Sequence, residues 1–373
     1  MKLSYWEEQA WLSQVDFTLI GAGLVGLNAA LRLRERFPNK HIVVVERGPL
    51  PSGASTRNAG FACFGSLSEL LADAKHHSPE EIRELVAQRF EGIQYLRSLL
   101  GDKALRYTNK GGHELFLKED QALFEACEAA LETTNTLLRE VFGGDAFQIQ
   151  KTNPAFGQIL PHQFTHQYEG ELHPGFMMQA LLEKVKKANI LVLTGVRVDQ
   201  LEESPTGVTL RAEEREWTSQ QVLMTTNGFA SRLLTDKQDQ VKPARAQVLL
   251  TSPVATRIEG CYHLEQGYYY FRQIDGRVLL GGGRNLDIPG ETTTEPGTSP
   301  LIQDRLEALL REVILPQESF EIERRWSGVM GVGPKKNPLV EQLSQRTYCG
   351  VRLGGMGVAL GSQVGKRLAD LVN

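Results

Sequence analysis

Phe17-Thr18-Leu19-Ile20-Gly21-Ala22-Gly23-Leu24-Val25-Gly26 is the stretch on which the reading of this chain turns. Four apolar or β-branched residues make a short buried strand, and the glycine-rich turn follows at once. An Ala/Leu-rich segment through Leu33 then predicts a buried helix, and His41-Ile42-Val43-Val44-Val45 predicts a second buried strand ending in Glu46. Each glycine has a mechanical reason. Gly21 permits the tight turn, Gly23 lets backbone approach a pyrophosphate, and Gly26 lets the helix pack close to the strand. The helix would present its unpaired N–H groups to the phosphates. Glu46, 20 residues beyond Gly26, stands where a carboxylate accepts ribose hydroxyls and repels a 2′-phosphate. Strand, turn, helix, strand and acid together predict a dinucleotide-binding unit.

Working outward, 373 residues suit two domains, with 41% hydrophobic and 23% charged residues as in ordinary globular proteins. A net charge of −4 argues against a nucleic-acid or membrane-surface role built on a basic patch. No run of apolar residues reaches the ~18 needed for a transmembrane helix. The first fifteen residues, with Trp6, Glu7, Glu8 and Trp11, lack the pattern of a signal peptide, so a cytoplasmic protein is expected. Cys63, Cys127, Cys261 and Cys349 are scattered, which predicts reduced thiols and neither a metal site nor a disulfide framework.

After the first unit comes Pro51-Ser52-Gly53-Ala54-Ser55-Thr56-Arg57-Asn58-Ala59-Gly60-Phe61, small, polar and glycine-rich. With the preceding motif, it resembles the D-amino-acid oxidase (DAO) family of FAD enzymes, which includes glycine oxidase, sarcosine oxidase and the bacterial γ-glutamylputrescine oxidases. The resemblance extends over nearly the whole chain. Glu169-Gly170-Glu171-Leu172-His173-Pro174-Gly175 before a helix is similar to a family segment. So is the strand Ile190–Leu193 running into Thr194-Gly195-Val196, and Thr226-Asn227-Gly228 partly matches a turn beside the cofactor. The end of the chain is the second strong motif: a strand Thr347–Val351, then Gly354-Gly355-Met356-Gly357-Val358-Ala359-Leu360-Gly361 and a helix to Leu371. Gly355-x-Gly357-x-x-x-Gly361 also reads as an NADP motif. No second strand or acid follows it, so the family's flavin-side glycine loop is the better match.

The resemblance implies an α/β fold: a Rossmann-like FAD-binding domain and an α+β substrate domain with an antiparallel sheet. The FAD domain is expected over 1–85, 150–235 and 325–373, and the substrate domain over 86–149 and 236–324. Amphipathic helices are expected over Pro79–Leu100 and Gln121–Phe142, and strands at Gln247–Thr251, Tyr268–Gln273 and Arg277–Gly282 with an Asp275-Gly276 turn. The expected contacts to a non-covalent FAD are Gly21, Gly23, Leu24, Val25, Gly26, Glu46 and Arg47. To these the second segment adds Ser55, Thr56, Arg57, Asn58, Ala59 and Gly60. The remainder are Val196, Thr226, Asn227, Gly228, Gly354, Gly355, Met356, Gly357 and Val358. A tethering cysteine like that of sarcosine oxidases is missing from 329–348.

The implied chemistry is hydride transfer from the carbon beside an amine nitrogen, with O₂ or a quinone-type carrier as electron acceptor. The substrate is then a small amine or amino acid. No acid–base residue is required; His113, His162, His166 and His173 qualify by type only. Glycine and D-amino-acid oxidases carry a carboxylate-binding arginine after Trp-x-Gly-x, and that position here is Met330. Arg284 and Arg352 are the substitutes to consider, with Phe61, Tyr268 and Tyr270 lining the site. Lacking that arginine, the chain leans toward an amine or N-substituted amino acid. An NAD(P)-dependent dehydrogenase and a flavin-binding module without turnover remain alternatives at this level.

Overall fold

The computed structural model describes residues 4–213 and 215–373. Two sheets of eight strands organise them, and their labels follow chain order. The first sheet takes β1 (Val15–Ile20), β2 (Ile42–Glu46), β8 (Leu191–Thr194), β9 (Gln200–Ser204), β10 (Gly207–Ala212), β11 (Arg215–Met224), β17 (Leu339–Gln342) and β18 (Thr347–Val351). The second takes β4 (Gly112–Glu114), β5 (Phe147–Lys151), β6 (His162–His166), β12 (Lys242–Pro253), β13 (Cys261–Leu264), β14 (Tyr269–Ile274), β15 (Arg277–Gly282) and β16 (Ile322–Val332). A two-stranded ribbon pairs β3 (Phe61–Ala62) with β7 (Gly170–Glu171).

The first sheet is parallel in its core, in the order β18-β11-β1-β2-β8, with β17 antiparallel at the edge. β2 reads Ile-Val-Val-Val-Glu and is buried throughout, as expected of a strand covered on both faces. One face carries the helices Leu24–Arg36, Pro174–Lys187 and Gly357–Asp370; the other carries the β9-β10-β11 meander through Val208, Leu210 and Trp217. Gly26 does the work expected of it. An added Cβ would stand 2.0 Å from the Gly21 carbonyl oxygen and 2.7 Å from Thr225 Oγ1, so any side chain there would push the helix off β1.

The second sheet runs β16-β12-β15-β14-β13-β4-β6-β5 and is antiparallel except where β13 meets β4. One face packs Leu249, Tyr269, Phe271 and Leu280 on the helix Pro300–Leu309. The other turns toward the first unit with Val248, Cys261 and Leu279, against Ala59, Phe61 and Cys63. Sheet membership departs from the expected domain division. β5 and β6 place residues through His166 in the second sheet, and β16 carries that sheet to Val332, so the expected cuts at 150 and 325 fall inside strands. Helix Pro79–Leu100 instead lies on Gly357–Asp370; Gly92 lets them approach, since a Cβ there would be 1.8 Å from the Ala359 carbonyl oxygen. No helix among the described residues is long and apolar enough to cross a membrane.

Candidate cofactor cleft and substrate face

A cleft enclosing about 1320 Å³, counted to its open mouth, runs along the carboxyl ends of β1 and β2. Its floor is Ile20, Gly21, Gly23, Leu24 and Val25. No side chain caps the helix Leu24–Arg36 at Gly23, and the Leu24 N–H meets only Ser55 Oγ, at 3.0 Å. That helix start therefore faces the cleft with N–H groups to offer. Thr225 Oγ1 ties the turn together, donating to the carbonyls of Ile20 and Gly21 at 2.8 and 3.0 Å.

Glu46 lines the cleft from the end of β2, 8% exposed. Its Oε2 accepts the Ala22 N–H at 3.1 Å and its Oε1 the Gly48 N–H at 3.0 Å. Beside it the Arg47 guanidinium lies 3.6 Å from the Phe229 ring centroid, with no hydrogen bond or ion pair to any described residue. Burial lowers its pKa. Val196 closes the wall at this end, with Arg197, Arg232 and Leu233, which sequence reasoning missed because nothing in their spacing marks them.

At the far end stand Asn58, Met330, Gly354, Gly355, Gly357 and Val358. A Cβ added at Gly53, Gly354 or Gly355 would meet nothing within 4 Å, so these glycines border open space. Asn227 holds the glycine loop: its Oδ1 accepts the N–H groups of Arg352 and Leu353 at 3.0 and 3.3 Å. Thr226 Oγ1, buried at the cleft wall, has no partner within the described chain. An uncapped helix start, a pinned carboxylate, an orphaned hydroxyl and vacant space over glycines are the features that a long dinucleotide would satisfy.

Other expected residues have structural positions outside the cleft lining. Thr56 Oγ1 donates to the Pro51 carbonyl at 2.8 Å. Arg57 Nε and Nη1 donate to the carbonyls of Ser52 and Ser327, at 2.8 and 3.0 Å, joining the two units. Ala59 is buried against β12 and β15, and Gly60 (φ +79°) packs on the Leu172 carbonyl. Gly228 lies against the Met330 carbonyl. Met356 packs over Cys63, sulfur to sulfur at 3.6 Å, in the same apolar group as Phe61, Tyr270 and Trp326.

Tyr270 is on the face of the second sheet that packs against the first unit. Its ring covers Gly281 and meets Phe61 edge-on at 5.8 Å. Tyr268 is not on that strand: it precedes β14 on an exposed turn and lines a surface cleft with Glu119, Asp120, Glu265 and Arg305. Arg352 is in the left-handed region (φ 65°) and donates to the carbonyls of Asn337 and Gln240 at 3.0 and 3.2 Å, so it serves the backbone. Arg272 likewise donates to the carbonyls of Gly60 and Leu172. Arg284, half-buried just past β15, has a guanidinium with no hydrogen bond or ion pair to a described residue.

The four histidines named by type are structural or peripheral. His113 bonds Thr165 at 2.9 Å and packs on Tyr262; burial pushes its pKa to about 4. His166 is enclosed by Phe64, Phe142 and Phe147, which drives it to about 3. His173 caps the helix Pro174–Lys187, and His162 is exposed at the start of β6. The histidine that does share the face of Phe61 and Tyr270 is His263, cross-strand from Tyr270 and edge-on to Phe61 at 5.2 Å. Among the described residues no group of three His, Cys, Asp or Glu side chains could hold a metal.

Residues 16–371 match the family described as DAO, FAD dependent oxidoreductase. The chain belongs to that family. The "Probable oxidoreductase OrdL" of Haemophilus influenzae is 20% identical over 97% of this chain and 83% of its own. L-proline dehydrogenase from P. horikoshii superposes with a TM-score of 0.75 at 15% identity, over 96% of this chain and 93% of that one. Glycine oxidase from Geobacillus kaustophilus gives 0.75 at 18% identity, over 96% and 94%. This DAO-family protein is thus an FAD-dependent oxidoreductase, and the cleft offers what FAD needs.

Proposed function

We propose that the protein oxidises the C–N bond of a small amine or N-substituted amino acid. The observation that carries this is the junction of the cleft with the second sheet. The glycine end of the cleft, Gly354–Gly357, meets a face made by Phe61, Tyr270 and Met356. Around it Arg57, Arg272 and Arg352 spend their guanidinium groups on backbone carbonyls. A substrate carboxylate would need a free cation, and Met330 supplies none. An amine needs no such anchor here, and an N-substituted amino acid would depend on Arg284, whose guanidinium has no partner among the described residues.

The residues proposed to hold FAD are Glu46 for the ribose, Gly21–Gly26 with Ser55 for the pyrophosphate, and Gly354–Val358 for the ring. FAD supplies a two-electron acceptor for the hydride leaving the substrate carbon. The chain's own part is placement. Phe61 and Tyr270 form an apolar wall that orients the carbon and excludes water, and the uncapped helix start at Gly357 favours negative charge beside it. Tyr270 stays protonated, its pKa pushed up to about 12 by burial, so its hydroxyl is a donor. The substrate nitrogen loses its proton, the carbon becomes an imine, and water hydrolyses it. Electrons then pass to O₂ or a quinone-type carrier. Four buried free thiols support a reducing, cytoplasmic setting.

Bleaching of the FAD-loaded protein under anaerobic conditions tests the reading. Secondary and primary amines should reduce the flavin. A flavin that stays oxidised against the whole panel of amines and amino acids would refute it.

A further inference from the structure

Between the helix Leu67–Asp73 and the strands of the second sheet that carry His263 and Tyr270 lies a polar seam that the cofactor cleft does not use. Glu69 is at its centre, with its side chain 17% exposed. Its Oε1 accepts from Lys336 Nζ at 3.3 Å, and the same ammonium lies 2.5 Å from Asp73 Oδ1. Asp73 Oδ2 is buried and has no partner. On the other side, Glu69 Oε2 reaches the Gly267 turn, where an added Cβ would stand 3.5 Å away. His263, 6% exposed, has an Nε2 with no partner and sits in the field of Glu69. It links the seam to Phe61 and, across the strands, to Tyr270.

The charges facing this seam favour a cation. Burial opposes ionisation of Glu69, but the cations Lys336 and Arg89 hold its carboxyl below the usual range. Burial keeps His263 near 4, so it is neutral at working pH and does not repel an ammonium. Arg89 donates to the Phe64 carbonyl at 2.5 Å. Behind it, Glu114 is bound by Ser66 and Ser68, and Glu169 by the N–H groups of Phe64 and Gly65. Lys336 is the cation best able to leave, since its side chain is 42% exposed on the segment between β16 and β17. It is itself an alkylammonium on four methylenes, seated on Glu69 and Asp73.

We propose that Glu69 and Asp73 receive an ammonium group of the substrate in place of Lys336, and that this group is not the one oxidised. This rests on the amine-oxidising reading above. A nitrogen must be uncharged before hydride can leave the carbon beside it, so a nitrogen held as a cation by Glu69 is a second one. The substrate class is therefore a diamine, its reacting end at Phe61 and Tyr270 and its ammonium end in the seam.

Calorimetric titration of the FAD-loaded protein with tert-butylammonium, which has no hydrogen on the carbon bearing nitrogen and cannot be oxidised, reads the site directly. Glu69→Gln should weaken binding by about tenfold or more, and Lys336→Met should tighten it by removing the internal competitor. In anaerobic bleaching, 1,4-diaminobutane, whose chain copies the Lys336 stem, should lose apparent affinity in Glu69→Gln while n-butylamine does not. Equal tert-butylammonium affinity in the wild type and Glu69→Gln overturns the proposal. So does weaker binding in Lys336→Met, the mark of an ion pair that merely holds the seam together. Amines that bleach the flavin with no dependence on Glu69 sink the seam and leave the amine reading standing. Glu69-dependent binding in a protein that no amine reduces does the reverse.

Discussion

Replacing Glu46 with alanine is the most direct probe of how the cleft holds its cofactor. The carboxylate already accepts the N–H groups of Ala22 at 3.1 Å and Gly48 at 3.0 Å, one on each oxygen. A carboxylate has about four acceptor directions, so about two remain, enough for the two hydroxyls of one ribose. Hydrogen bonds to a charged group contribute roughly 1.5–3 kcal/mol each. Part of that is lost to the side chain's existing bonds and to solvent, so Glu46→Ala should weaken FAD about 10- to 100-fold. Titrating apoprotein with FAD and following quenching of flavin fluorescence measures it. FMN has no adenosine and provides the control: its affinity should hold. Glu46→Gln, which keeps an acceptor oxygen but adds an N–H₂ group that must find its own acceptor, should fall between. FAD affinity unchanged in Glu46→Ala, or FMN weakened as much as FAD, would show that the carboxylate serves the turn alone and not the ribose.

Three further outcomes follow from the same geometry. FAD should be non-covalent, so acid precipitation should release yellow flavin to the supernatant; colour retained in the pellet would contradict it. Glu169 is buried and its carboxyl is raised from 4.5 to about 7 by burial, which corresponds to roughly 3 kcal/mol. The unfolded chain ionises first, so this group costs stability as pH rises from about 4.5 to 7, and Glu169→Gln should raise Tm more at pH 8 than at pH 5; an equal change at both refutes the linkage. Arg284→Met should raise KM about tenfold for carboxylate-bearing substrates and leave neutral amines, flavin content and Tm unchanged. A fall in Tm with all substrates affected alike would make Arg284 structural.

The first sheet was legible because its signals are local. Residues 17–46 contain a buried strand, a turn that only glycine permits, a helix and an acid, and the fold keeps each at its expected place. The terminal strand Thr347–Val351 was equally plain, bounded by glycine and followed by an open loop. What escaped were properties set by pairing between distant segments. The expected cuts at 150 and 325 fall inside strands because β5 and β16 are assigned by their partners, β6 and β12, more than by their own composition. Tyr268 alternates with Tyr270 in sequence, yet β14 begins at Tyr269, and the turn through Gly267 swings Tyr268 out to solvent.

The substrate side was the least legible, for a physical reason. Arginines attract attention in a sequence because a guanidinium can bind a carboxylate, but the sequence does not say which are already occupied. Arg57 and Arg352, both marked in advance, turn out to bridge backbone carbonyls, and Arg272 does the same. Glu69, Lys336 and His263 drew no notice: an acid on a short helix, a lysine in a loop and a histidine in a strand are each ordinary alone. They become informative together: Lys336 sits on Glu69 and Asp73, His263 lies in the field of Glu69 and meets Phe61 edge-on, and a ring nitrogen of His263 and a buried carboxylate oxygen of Asp73 are left without partners. The first part of the cofactor cleft is written in the contiguous residues 17–46 because a dinucleotide needs one fixed βαβ geometry. On the reading proposed above the substrate end is assembled from 61, 69, 263, 270 and 336, so its chemistry can change by single substitutions outside the βαβ unit.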